Sequence, residues 1–517
     1  MLATTYASAL QGVDAKLITV ETHAGNNIQN GTEKYFHVVG LPDKAVSEGI
    51  MRINPALRNS GFRPARRIMT VNLAPAGLRK EGAAYDLPIA VGILESTEQL
   101  VRADDRRVML LGELALDGSL RPVRGALPMA IAAKKQGFTG LILPAANAEE
   151  AAIVDGLDVF GAGTLKEVVW HLQGSRALAP TRPATRVDAQ EAQAFPLDFH
   201  DVMGQENIKR ALEIAAAGGH NAILIGPPGA GKTMLARRLP TILPPLTLDE
   251  ALATTKIHSV AGKLPGGRGL VAARPFRAPH HTISDVALVG GGANPMPGEI
   301  SLAHHGVLFL DELPEFKRSV LEVMRQPMEE RRVTISRARW TVDYPASFML
   351  LASMNPCPCG FYNHPTKECT CGPGKVKQYL SKISGPLMDR IDLHVEVVPV
   401  SYEELSREGR SGESSAAIAR RVVAARGVQA ARFAPFADVH CNAQMPSRLV
   451  RETCPLDAAS RRLLETAMER LQLSARAYDR ILKVARTVAD LDGAAAVAAP
   501  HLAEAIQFRT LDRGNWG

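Results

Sequence analysis

The stretch "AILIGPPGAGKT", Ala222 to Thr233, constrains this chain more than any other. Four apolar residues, Ala222 to Ile225, read as a buried strand, and the following "MLARRL" reads as a helix. Between them Gly226, Pro227, Pro228, Gly229, Ala230, Gly231, Lys232 and Thr233 match a glycine-rich phosphate loop. Glycines let such a loop curl until successive backbone N–H groups point inward at phosphate oxygens, and the helix start adds partial positive charge. Lys232 is placed to reach the outer phosphates of ATP, and the Thr233 hydroxyl to ligate Mg2+. Further on, "GVLFLDELPEF" is an apolar strand ending in Asp311-Glu312. Asp311 is expected in the Mg2+ shell and Glu312 beside the attacking water. The expectation is an ATP- and Mg2+-dependent hydrolase.

At 517 residues the chain has room for about three domains of roughly 150 residues. Residues 1–172 mix β-rich runs such as "RRIMTVNLAP" with helical patterns such as "LPMAIAAKKQG", which reads as α/β. Residues 173–197, including "ALAPTRPATRVDAQEAQ", lack any period and read as a linker. Residues 198–400 alternate strands with helices, as a parallel sheet requires. Residues 401–517 are dominated by helix formers at helical spacing, for example "AASRRLLETAMERLQL".

Lys and Arg total 60 against 53 Asp and Glu, a net charge of +7 that permits a nucleic-acid partner without demonstrating one. The N-terminal segment lacks the charged and apolar regions of a secretion signal, and no apolar run reaches membrane-spanning length. The expected location is the cytoplasm, with no membrane partner.

The stretch "CPCGFYNHPTKECTCG" carries Cys357, Cys359, Cys369 and Cys371, four of the chain's six cysteines. Three states are open to them: a closed zinc site of four thiolates, free reduced thiols, or disulfides. Zinc is the expectation, in a structural role because a closed site leaves no position for a reactant; His364 could replace one sulfur. Cys441 and Cys454 lie apart and carry no metal signal. Adjacent histidines point different ways, so His280-His281 and His304-His305 are read as structural.

From about Asp198 onward the chain resembles an AAA+ ATPase. "DVMGQENIKRAL" is similar to the segment that packs on adenine in that superfamily, and "FMLLASMNP" to its sensor-1 strand. The resemblance implies that Asn355 positions water beside Glu312. "SGPLMDRIDLHVEV" resembles the arginine-finger segment, with Arg390 donated in trans, and "LSARAYDRILKVART" the sensor-2 helix of a C-terminal helical lid, with Arg476 as sensor. A finger acts only at a subunit interface, so a homo-hexameric ring is implied. The hairpin in "EERRVTISRARWTVDYPASF" and the insertion before the acidic strand are similar to the branch holding magnesium-chelatase ATPases, MCM helicases and the RuvB motor. Arg337 and Arg339 on that hairpin are the candidate DNA-phosphate contacts.

"EGAAYDLP" and "PVRGALPMAIAAKKQG" make the front block resemble the protease domain of Lon, whose Ser/Lys dyad is missing here. No serine stands in the first segment, and Leu127 occupies the lysine position, so no acyl chemistry is expected. The whole combination resembles the YifB/ComM family of magnesium-chelatase-like proteins. That implies an α/β chain with a Lon-protease-like front, an AAA+ core with a parallel sheet and a helical lid. It further implies a hexameric motor on branched or single-stranded DNA, driving branch migration when transforming DNA is integrated, with recombination proteins as partners. The alternatives are a chelatase-like remodeller of a protein or metal-insertion client and an unfolding ATPase feeding a separate protease.

Overall fold

A computed structural model describes residues 1–27, 36–64, 67–182, 196–264, 269–292, 295–337, 340–362, 364, 366–400, 412–436 and 438–509. The chain divides into two units. The first holds Met1–Asp188, Leu248–Ala272 and Ser336–Tyr344; the second holds Ala189–Thr247, Ala273–Ile335 and Pro345–Gly517.

In the first unit, β1 (Leu2–Gln11) turns through Gly12, at φ 66°, into β2 (Asp14–Asn27) with Gln11 opposite Asp14. Only glycine adopts that left-handed conformation without steric cost. β3 (Phe36–Val39) and β4 (Arg67–Ala74) complete a sheet of order β1-β2-β4-β3, with β3 and β4 parallel. Helix Asp86–Ser96 packs on β1 and β2 and is buried at every residue but Glu95, which matches its nearly unbroken apolar sequence. β5 (Val108–Leu110), β8 (Gly140–Pro144) and β9 (Asp158–Ala162) form a parallel sheet, and β6 (Glu113–Leu114) pairs with β7 (Leu120–Arg121). Ile18, Val20, Met69, Val71, Leu87, Ile93 and Leu141 lie in its core.

Helix Leu248–Val260, which lies within residues 198–400 of the sequence, groups with this unit. It packs against helix Ala126–Lys135, and the Ser259 hydroxyl donates to the Glu150 carboxylate. Local patterning marks a helix but not which core receives its buried face.

The second unit is built on β10 (Ala222–Ile225), β11 (Phe276–Arg277), β14 (Val307–Leu310), β17 (Met349–Met354) and β18 (Leu393–Glu396), in the order β11-β14-β17-β10-β18. All the pairings are parallel. Every residue of β10, β14 and β17 is buried, as strands covered on both faces require. Short strands β12 (Gly290–Gly291) and β13 (Met296–Pro297) pair within the segment before β14. β15 (Arg332–Arg337) and β16 (Trp340–Pro345) form the expected hairpin, whose residues Ser336–Tyr344 are counted with the first unit.

C-terminal helices Ser415–Phe433, Ala458–Arg470 and Ala475–Leu491 start at Ser414, Asp457 and Ser474, whose side chains accept backbone N–H groups at the first turn. Ile481, Val484 and Val488 share one core with Leu224, Phe309 and Leu351 of the sheet. Among the described residues, no helix is long and apolar enough to cross a membrane.

Candidate nucleotide site

β10 ends directly in the phosphate loop. The Gly226 N–H donates to Met354 O of the neighbouring β17 at 3.2 Å, and a Cβ on Gly226 would lie 2.2 Å from Val397 O, so only glycine fits. Gly229 and Gly231 take φ 80° and 85°, which close the loop ahead of helix Lys232–Arg238.

Lys232 is only 9% exposed. Its Nζ donates to Gly226 O (2.7 Å), Pro227 O (2.8 Å) and Asn355 Oδ1 (3.1 Å), which uses all three protons. Burial pushes its pKa below the ordinary lysine value, against the pull of Asp311 and Glu312. The Thr233 hydroxyl donates to Asp311 Oδ2 at 2.7 Å, and the Ser353 hydroxyl donates to Asp311 Oδ1. Hydroxyl and carboxylate oxygens thus meet at one point, a hard donor pair of the kind Mg2+ takes alongside phosphate oxygens and water. Glu312 stands next to them at φ 53°, an uncommon backbone region for a non-glycine residue, with its side chain 59% exposed. Its carboxylate lies 3.9 Å from His281 Nδ1.

Five expected residues (Lys232, Thr233, Asp311, Glu312 and Asn355) therefore converge where β10, β14 and β17 end side by side. Two contributors were not read from sequence. Ser353 orients Asp311 from β17, and the Gln205 amide donates to Ala230 O of the loop at 2.9 Å. Both contacts span elements distant in sequence; Gln205 lies in the "DVMGQ" segment that resembles an adenine-packing element.

The arginines stand elsewhere. Arg390 is 8% exposed, pairs with Glu329 and donates to Pro386 O at 2.6 Å. Arg476 is exposed at the second position of helix Ala475–Leu491. The Arg337 side chain and all of Arg339 lie outside the described residues. His304 accepts the Ser347 N–H at 3.0 Å, and burial, with His305 beside it, pushes it well below the ordinary histidine value. In the first unit, Leu127 is fully buried and its N–H donates to Glu150 at 2.9 Å, so no basic side chain occupies the place of the Lon lysine.

The four clustered cysteines do converge. Their Sγ atoms lie within 4.8 Å of one another. None forms a disulfide.

Family models match three stretches of the chain. One described as magnesium chelatase, subunit ChlI, matches residues 198–405; subunit ChlI of Mg-chelatase matches 25–147, and the ChlI C-terminal model matches 412–509. Competence protein ComM of Haemophilus influenzae is 44% identical over 517 residues, covering 99% of this chain and 98% of that protein. Protein YifB of Escherichia coli K12 is 44% identical over 513 residues, with 99% and 98% covered. Lon protease 2 of Bacillus subtilis is 28% identical over 190 residues, 34% of this chain and 32% of that protein. Parallel sheet, phosphate loop and C-terminal helices define an AAA+ protein of magnesium-chelatase type with a Lon-like front. Within that class, the chain belongs to the YifB/ComM family.

Proposed function

We propose that this chain is an ATP-driven DNA motor that works as a homo-hexameric ring in the cytoplasm. It moves branched or single-stranded DNA during integration of transforming DNA, alongside recombination proteins. The observation that carries the reading is the Lys232–Thr233–Asp311–Asn355 cluster in a chain alike over its whole length to a competence protein.

In this reading the three Lys232 protons turn from their carbonyl and amide acceptors to the outer phosphates of ATP. Thr233 and Asp311 would hold Mg2+, which would supply charge neutralisation at the phosphates. Glu312 accepts hydrogen bonds from the attacking water while Asn355 holds it in line. Arg390 leaves Glu329 and meets the phosphates of a neighbouring subunit, and Arg476 reads the nucleotide from the lid. Cys357, Cys359, Cys369 and Cys371 would hold a zinc ion that takes no part in the hydrolysis itself.

A labelled synthetic four-way junction tests the motor. Strand exchange is expected with Mg2+ and ATP, and none with Glu312→Gln, which should still bind nucleotide. ATP hydrolysis that DNA leaves unstimulated, with junctions intact, would replace this reading by that of a protein or metal-insertion remodeller.

The hairpin is tested separately. An Arg337→Ala/Arg339→Ala double variant should weaken DNA binding about tenfold and lower the log–log salt slope by about 2, one per lost phosphate contact. Wild-type affinity and slope would remove both arginines from the DNA path.

A further inference from the structure

The chain leaving β17 touches the phosphate loop twice before it reaches its last cysteine. Asn355 Oδ1 accepts from Lys232 Nζ at 3.1 Å. Five residues on, Gly360 sits against the loop's other arm. A Cβ there would lie 2.4 Å from Pro228 Cδ, and φ is 85°, so the position is doubly reserved for glycine. The Gly360 N–H donates to Cys357 O at 3.0 Å, which places this contact inside the turn that carries Cys357 and Cys359.

The same turn is closed by sulfur. Cys357 Sγ lies 3.3 Å from Cys359 Sγ and 3.7 Å from Cys369 Sγ, and Cys359 Sγ lies 3.5 Å from Cys369 Sγ. Zn–S bonds of about 2.3 Å in a tetrahedron put sulfurs about 3.8 Å apart, whereas a disulfide needs about 2.05 Å. Four soft donors at that spacing suit Zn2+. His364 is not needed: its Nδ1 accepts the N–H groups of Thr366 (3.1 Å) and Lys367 (3.0 Å). Between Cys357 and Gly372 no helix or strand forms among the described residues, and the next helix starts at Pro373. With no helix or strand among its described residues to hold Gly360 in place, a metal cross-link would supply the order that secondary structure does not.

We infer that Cys357, Cys359, Cys369 and Cys371 bind one Zn2+ that clamps this turn against Pro228, so that zinc occupancy sets the affinity of the phosphate loop for nucleotide. The inference rests on the nucleotide reading of that loop and adds its regulation. Linkage makes the coupling reciprocal: nucleotide must tighten zinc by the factor by which zinc tightens nucleotide.

The test uses the full chain and a fluorescent N-methylanthraniloyl ATP in Mg2+. Protein purified without added metal should carry about one zinc per chain. Stripping zinc with a thiol reagent and chelator, then restoring thiols, should weaken analogue binding about tenfold, and added Zn2+ should restore it. Zinc affinity, read by competition with a chromogenic chelator, should rise by the same factor when the analogue is present. Gly360→Ala should keep its zinc and still bind analogue about tenfold more weakly, because its Cβ displaces Pro228 while the four sulfurs stay in place.

Zinc below about a tenth of an equivalent would overturn the metal site and leave the nucleotide reading standing. Equal analogue affinity with and without zinc, in protein that carries it, would overturn the clamp alone. Zinc-loaded protein that binds no analogue would overturn the nucleotide reading and the clamp with it.

Discussion

Lys232→Ala should abolish ATP hydrolysis, with a loss of at least about a thousandfold in kcat/KM. The ammonium is buried among Gly226 O, Pro227 O and Asn355 Oδ1, so it stands preorganised at the centre of the loop. Removing it takes a donor from Gly226 O, Pro227 O and Asn355 Oδ1, of which Pro227 O keeps the Ala230 N–H at 3.3 Å, and in the proposed reading it takes away the positive charge that would meet the outer phosphates. Lys232→Met keeps most of the side-chain volume and should show the same loss, which separates missing charge from a collapsed loop. Circular dichroism of both variants should match wild type. Hydrolysis within tenfold of wild type in either would show that this loop does not act on phosphate.

The second large effect is on stability. Asp392, 3% exposed, precedes β18 and accepts from Arg480, from the Asn221 N–H at 3.3 Å and from His220 Nδ1 at 3.1 Å. His220 Nε2 in turn lies 2.8 Å from the Thr487 hydroxyl, and Asn442 Nδ2 donates to Thr487 Oγ1 (3.0 Å) and Asp490 Oδ2 (2.8 Å). Arg432 and Arg486 both pair with Asp490. One buried polar chain thus ties β18 and the start of β10 to helix Ala475–Leu491.

Asp392→Ala leaves Arg480 without its carboxylate and His220 without its acceptor, at a cost of about 3–5 kcal/mol. Hydrogen exchange in helix Ala475–Leu491 should therefore speed up by about two orders of magnitude or more wherever it proceeds through unfolding of this unit. An unchanged exchange rate would show that the chain of contacts carries no stability.

The same group gives a pH dependence. Burial pushes the Asp392 carboxyl up, but Arg480 and His220 more than offset it and hold it well below the ordinary carboxylate range. A depressed folded-state pKa adds stability that is present above the unfolded value near 4 and is lost as pH falls below it. The stability gap between wild type and Asp392→Asn should accordingly narrow below about pH 4.

Much of the site was legible because its chemistry is local. A phosphate loop needs its glycines, lysine and threonine at consecutive positions, and the apolar run before Asp311 announces a buried strand by composition alone. The cysteine turn was legible for the same reason: both pairs lie on one short loop, so their meeting requires no long-range packing. Ser353 was not legible, since a serine inside a fully buried strand shows its purpose only when the strand is set beside Asp311. Arg390 carried a family role in sequence, while its closure onto Glu329 emerges only after helix Arg325–Glu330 is placed near it.

By itself, then, the sequence determined the elements whose function depends on neighbours along the chain: the phosphate loop, the acidic strand end, the cysteine turn and the missing Lon dyad. Tertiary structure alone decided which distant groups face one another. It put Gln205 on Ala230, Gly360 on Pro228 and Asp392 between His220 and Arg480, and it gave helix Leu248–Val260 to the first unit. The physical reason is that each such pairing is set by the packing of whole elements, and a side chain's own sequence window carries no record of which buried face or carboxylate it will meet.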